Sequence, residues 1–261
     1  MKVVQDLREL FSYRELIAVL AQREIRSRYK YTLLGAGWAL ALPVGLMLIF
    51  TMVFSQVAPL DTGDVPYPIF AYIGLLPWQL HAAILTGSAR SLTDNRSLVT
   101  KVYFAREALP LARVAAALFD FAIAATVLGA LMAWYGIAPG PGAWLVPVVL
   151  LVQIAFGVGL AFIIAAANLL YRDVQYVLQV VIMVWMFGSA VVYPLPQEGW
   201  LLTLSWINPI TPILNTYRGL LVGNQVTLEP QFLTAAGISL FLLIVGWLMF
   251  RKLEGRFGEL A

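Results

Sequence analysis

The 261-residue chain contains no cysteine and one histidine, His81. The first absence removes disulfides, thiolate metal sites and cysteine nucleophiles together. The second leaves no multi-histidine metal centre. Charge is also scarce: Asp, Glu, Lys and Arg make up 12% of the residues, against about 25% in a soluble domain. None of the lysines is followed by Ser or Thr behind a glycine tract, so there is no Walker A phosphate loop. The chain does not hydrolyse ATP by itself. Neither an HExxH helix nor a nucleophile elbow occurs. The basic N-terminal stretch lacks the apolar core and cleavage site of a signal peptide, so it is expected to stay in the mature protein.

Apolar residues fill the chain instead, at 61% of the total. A soluble globule cannot hide that much apolar surface, so most of this chain is solvated by lipid. A spanning helix needs about 20 predominantly apolar residues. The uncharged tracts predict spans near 33–57, 69–90, 110–136, 143–170, 174–193 and 231–251. The third and fourth are divided by Gly136-Ile-Ala-Pro-Gly-Pro-Gly142, whose prolines and glycines do not suit a helix interior. Residues 194–230 are apolar but broken by Pro194, Pro196, Pro209 and Pro212. That pattern predicts two short helices split at Asn208-Pro209, forming a re-entrant or interfacial hairpin over 194–225. Six spans with the N-terminus inside place 16 of the 17 Lys and Arg residues on the cytoplasmic side, leaving only Arg218 outside. The expected architecture is one all-α membrane domain over 1–261, N-in and C-in, with an interface helix within 1–31.

Ser12-Tyr-Arg-Glu15 is a capping-box pattern that opens this helix, which continues to about Tyr29. Tyr13, Leu16, Ile17 and Leu20 share its apolar face. Arg23, Arg26 and Lys30 form a basic stripe beside that face, with Arg28 close by. The stripe reads either as part of an interfacial helix with a binding role or as a plain positive-inside anchor. The amphipathic segment 91–104 and the turn Tyr171-Arg-Asp-Val174 face the same side and suit a soluble partner. His81 and Asp120 are the ionisable residues inside spans. Two isolated groups make a poor proton relay, so both read as structural residues of the bundle. Trp78, Trp134, Trp144, Trp200 and Trp206 sit at predicted membrane edges. Trp38, Phe50, Phe54, Trp185 and Phe187 lie within spans one and five, either packed towards lipid or lining a path along which sugar rings slide.

Several motifs occur in a telling order. Arg23-Glu-Ile-Arg-Ser-Arg-Tyr-Lys30 precedes Leu34-Gly35, Trp38 and Gly74-Leu-Leu-Pro-Trp78. Asn95 to Leu98, Lys101-Val-Tyr-Phe-Ala-Arg-Glu-Ala-Leu-Pro110, Arg172-Asp173-Val174, Asn208-Pro209 and Tyr217-Arg218 follow. In this order they resemble the permease subunits of ABC-2 type polysaccharide exporters of bacterial inner membranes, which carry O-antigen, capsule or teichoic acid chains. Ala105 stands where that family commonly has Pro, and Ser189-Ala190 where it often has Ser-Pro.

The resemblance implies a homodimer bound to two copies of a separate ATPase, which holds ATP and Mg; this chain is then no enzyme and carries no cofactor. It implies ATPase coupling through Asp94, Asn95, Arg96, Ser97, Leu98, Lys101, Tyr103, Phe104, Arg172 and Asp173. The 194–225 hairpin becomes a periplasmic gate, and the channel lining comprises Trp38, Phe50, Phe54, Trp185, Phe187 and Tyr193. The cargo becomes an undecaprenyl-pyrophosphate-linked polysaccharide whose pyrophosphate meets Arg23, Arg26, Arg28 and Lys30. Arginine suits that role because its planar donors pair with phosphate oxygens two at a time. No nucleic acid is expected as a partner. The alternatives are an ABC-2 exporter of drugs or small lipids, a structural scaffold, or a membrane glycosyltransferase. The last is disfavoured because Asp61, Asp64, Glu198 and Glu229 are scattered without DxD spacing.

Overall fold

A computed structural model of the chain describes residues 12–102, 104–195, 198–255 and 257. Tyr103, one of the expected coupling residues, lies outside the described residues, as do Pro196 and Gln197 of the hairpin. The described residues are helical, with no strand among them. Helix α1 covers Arg14–Tyr29, with Tyr13 rather than Ser12 at the N-cap position. A 3₁₀ turn at Gly35–Gly37 leads into α2, Trp38–Met52, which a π turn over Val53–Val57 prolongs. Helix α3 covers Tyr67–Ser91, and the short α4 covers Arg96–Lys101. Helices α5, Ala108–Trp134, and α6, Val146–Leu170, flank the glycine- and proline-rich break. Then come α7, Val174–Gly188, α8, Trp200–Ile207, α9, Ile210–Leu221, and α10, Pro230–Glu254.

Among the described residues, five segments are long and apolar enough to cross a membrane: Gly35–Ser55, Tyr67–Lys101, Ala108–Trp134, Ala143–Leu170 and Pro230–Glu254. Where the sequence predicts a span over 174–193, α7 has 15 residues, a rise of about 22 Å. The helix stops because Ala190 adopts a left-handed φ of 52°, and residues 189–193 form a bend. The 194–225 region does divide at Asn208-Pro209, into α8 and α9.

Helix α3 is the hub, packed against α2, α5, α6, α7 and α9. Ile69, Tyr72, Leu75 and Leu76 of α3 meet Phe156, Ile210, Ile213 and Leu214 in one half of the bundle. Leu80, Ile84 and Leu85 meet Ala112, Phe162 and Ala165 in the other. Lipid tails are as apolar as leucine, so close packing and hydrogen bonds hold such helices together more than water expulsion does. The seam between α6 and α10 shows this. A Cβ placed on Gly246 would sit 2.2 Å from the Gly159 carbonyl oxygen, so two facing glycines let the backbones touch. Polar threads complete the packing. Tyr217 donates to Gln153 Oε1 at 3.0 Å, and Gln153 Nε2 donates to the Pro77 carbonyl at 2.7 Å. That chain ties α9 to α6 and α6 to α3.

Candidate functional site

At the end of the bundle where α1 packs against α5, charged side chains from three segments interlock. Glu24 of α1 accepts from Arg28 Nε at 3.2 Å and from Arg113 of α5. The other arm of Arg113 reaches Asp94 Oδ2 at 2.8 Å, in the segment after α3. Arg28 Nη1 donates to Asp120 Oδ2 at 2.7 Å, and the Tyr29 hydroxyl donates to Asp120 Oδ1 at 2.5 Å. The chain of contacts runs Asp94–Arg113–Glu24–Arg28–Asp120, alternating in charge. Arg23 donates to Asn95 Oδ1, and Asn95 Nδ2 turns back to the Ser91 carbonyl at 2.9 Å. Burial first, and then the hydrogen bond to Asp120, push the Tyr29 phenol up from its ordinary value. Asp120 is thus a hydrogen-bonded anchor for α1.

The basic stripe is divided by this network. Arg23 and Arg28 are engaged within the protein, Arg28 by two carboxylates. Arg26 is exposed at the rim of an apolar groove between α1 and α5, lined by Val19, Ile25, Leu118 and Phe119. Lys30 is exposed, with its ammonium 4.6 Å from the centre of the Tyr31 ring. The four expected phosphate ligands therefore do not form one free cluster.

A second clasp holds the far end of the 91–106 segment. Arg106 donates to the Val99 carbonyl at 3.0 Å and to the Glu254 carbonyl, while its backbone N–H donates to Glu254 Oε1 at 3.2 Å. Fully buried Glu107 pairs with Arg251 Nε at 2.5 Å. Helix α4 is consequently tied to α1 and α5 at its start and to α10 at its end. On its surface Arg96, Ser97 and Lys101 are exposed, Leu98 is half-buried, and Val99 and Phe104 turn inward. Arg172 and Asp173 are exposed at the α6–α7 turn. Buried Asn168 links that turn to α3: its Nδ2 donates to the Ala89 carbonyl at 2.7 Å, and its Oδ1 accepts from the Gln175 N–H at 3.0 Å. The charge pattern made Arg23 to Lys30 conspicuous, and Glu107 stood within the Lys101–Pro110 motif without an assigned role; nothing local singled out Arg113 or Asn168.

The opposite end is held differently. Arg218 is buried on α9, where it donates to the Ala190 carbonyl at 3.0 Å and to the Val191 carbonyl. Its guanidinium carbon lies 4.0 Å from the centre of the Phe70 ring, and no carboxylate contacts it among the described residues. The Tyr67 hydroxyl adds a bond to the Val192 carbonyl at 2.7 Å. Asn208, at the split in the hairpin, accepts from Trp185 Nε1 at 2.9 Å and donates to Ser189 Oγ at 2.9 Å. These contacts close the bend after α7 onto α3 and α9.

The expected channel aromatics disperse over this frame. Phe50 stacks on Phe54 with centroids 6.1 Å apart, and Phe54 meets Tyr67. Trp185 points into the bundle, its edge against His81 at 5.0 Å. His81 is itself fully buried and stacked on Phe156. Trp38 and Phe187 are exposed, and the Tyr193 hydroxyl donates to the Phe187 carbonyl.

The family model described as ABC-2 type transporter matches residues 15–222. The chain belongs to the ABC-2 type transporter family. Over 260 residues it is 30% identical to an O-antigen export system permease protein RfbA of Myxococcus xanthus, covering 98% of this chain and 99% of that protein. A second protein of that name, from Klebsiella pneumoniae, is 27% identical over 266 residues, covering 100% and 99%. The polysialic acid transport protein KpsM of Escherichia coli is 25% identical over 248 residues, covering 91% and 93%. As an ABC-2 chain with several apolar spanning helices, it is a multi-pass membrane protein. The ABC-2 match takes in the Asp94–Arg113–Glu24–Arg28–Asp120 network but stops short of Arg251 and Glu254 of α10.

Proposed function

We propose that this chain is the channel-forming permease subunit of an ATP-driven exporter of lipid-linked polysaccharide. It works in the inner membrane as a homodimer with two copies of a separate ATPase. Its termini face the cytoplasm, α7 and the bend after it make the fifth of six crossings, and α8–α9 gate the outer mouth. End-to-end likeness to two proteins named for O-antigen export supports the cargo class. The single observation that carries the mechanism is the doubly clasped 91–106 segment. A chain without a phosphate loop needs a surface through which a partner's work reaches its helices. Here that surface is tied to α1, α5 and α10 by charged contacts.

In this reading the ATPase holds ATP and Mg and closes against Arg96, Ser97, Leu98, Lys101, Arg172 and Asp173. Displacement of Asp94 passes through Arg113 to Glu24 and so moves α1. The carrier's pyrophosphate is met by the stripe, with Arg26 and Lys30 making direct contact because Arg23 and Arg28 are already engaged. Weak stacking on Trp38, Phe187 and Tyr193 suits a polymer that must keep moving.

The test uses the natural absence of cysteine. Single cysteines at Ser97 and Lys101, which are exposed, are crosslinked to the partner ATPase, and surface polymer is measured in the same cells. Crosslinks at both positions, and loss of surface polymer when the gene is deleted, are the expected results. Intact polymer export in the deleted strain, with altered drug efflux, would move the chain to the drug or small-lipid exporters.

A further inference from the structure

A side cavity of about 310 Å³ opens between α2, α3 and α5 beneath the end of α1. Trp38, Leu42, Pro43, Leu76, Leu80 and Phe121 form its larger walls. Alanines 39, 83, 117 and 124 supply the room, since each leaves space that a leucine would fill. The polar groups of the lining are Gln79 and, at the rim, Arg28, Tyr29 and Asp120; the last three bond one another, and the rest of the wall is apolar. The cavity lies beside the first two turns of α2, at the level where that span enters the bilayer. It opens past Trp38 and Leu42, which are 54% and 58% exposed.

Away from Gln79 and the rim, the walls offer ordered water none of the two to four polar partners it needs. In a bilayer the abundant apolar ligand is hydrocarbon. At about 30 Å³ per water-sized unit, the space takes roughly ten carbon-sized groups. That is the end of an acyl chain or two isoprene units.

We infer that this cavity is a binding site for the hydrocarbon chain of a membrane lipid, inserted between α2 and α5 with its head group outside the Arg28–Asp120–Tyr29 rim. Two sources supply such a chain: a bilayer phospholipid, or the polyprenyl carrier of the cargo. The site goes beyond the export reading and stands without it.

The experiment uses the full-length chain in nanodiscs with two diazirine-tailed probes, a phosphatidylglycerol and a polyprenyl pyrophosphate. After illumination, labelled peptides are mapped by mass spectrometry. The expected result is labelling at Leu42, Leu76 or Phe121 by at least one probe. The cavity-filling pair Ala39→Leu and Ala83→Leu should reduce it at least fivefold, with labelling of the outer face of α10 unchanged. Ala39→Ser and Ala83→Ser serve as the control that keeps the space, and should label like wild type. Labelling by the phospholipid probe alone assigns a bilayer chain; labelling by the polyprenyl probe alone assigns the carrier. No labelling of these peptides by either probe, or equal labelling in the filled variant, overturns the site. A labelled cavity in a protein that exports no polymer would refute the export reading and leave the site intact.

Discussion

Replacing Arg113 with Met removes the α5 side chain that bridges Asp94 of the 91–106 segment to Glu24 of α1, leaving the direct Arg23–Asn95 bond in place. Two interactions are lost. The arm on Glu24 lies between groups only 15% and 16% exposed, so it counts as a charge-assisted hydrogen bond worth about 1.5–3 kcal/mol. The arm on Asp94, whose side chain is 48% exposed, is screened and worth about 0–1 kcal/mol. Glu24 keeps Arg28 at 3.2 Å, so no buried carboxylate is orphaned and the larger penalty for a broken buried pair does not apply. The expected cost is about 2–3 kcal/mol in equilibrium unfolding in mixed micelles. Asp94→Asn should cost less than about 1 kcal/mol. Arg113→Lys should fall between, because one ammonium cannot present two separated donors as a guanidinium does. A double-mutant cycle with Glu24→Gln should show coupling of about 1 kcal/mol or more. In the assembled exporter, Arg113→Met should lower polymer export per ATP hydrolysed. If Arg113→Met costs no more than Asp94→Asn and the cycle shows no coupling, the bridge carries nothing and the reasoning fails.

Arg251→Met should destabilise by about 3–5 kcal/mol, since fully buried Glu107 loses its cation; adding Glu107→Leu should recover most of that loss in the same unfolding assay. Gly246→Ala should prevent the close approach of α6 and α10, costing at least about 1–3 kcal/mol and lowering the monodisperse peak in size-exclusion chromatography. Asn168→Leu should leave the Ala89 carbonyl and the Gln175 N–H without partners, at about 1–3 kcal/mol each. It should also reduce crosslinking of a cysteine at Arg172 to the ATPase, whereas a cysteine at Ser97 should be affected less.

Most of the long helices were legible because lipid imposes a length and a composition that survive in one dimension. The end of α1 at Tyr29, the break over 136–142 and the split at Asn208-Pro209 all follow from local residue chemistry. The stop of α7 was not legible, because an alanine carries no signal for a left-handed backbone; Ala190 is held there by contacts from Arg218, 28 positions away. The site was harder still. Glu24 and Arg113 lie 89 positions apart, and Arg28 and Asp120 lie 92 apart. A sequence displays Arg23 to Lys30 as one stripe, but only packing against α5 reveals which of those cations are already spoken for. Arg218 was the one cation expected on the outer side, and its burial on backbone carbonyls accounts for it without any ligand.

The two ends of the molecule are fastened by different chemistry. At the α1 end the fastenings are formal charges, and Asp94 among them is open to solvent. Around Arg218 they are carbonyl oxygens, an aromatic face and an amide, all sheltered from water. Mobile ions weaken the first kind and scarcely reach the second. Ionic strength therefore acts as a one-sided solvent on this protein, slackening the end proposed to meet the ATPase while the far mouth keeps its shape.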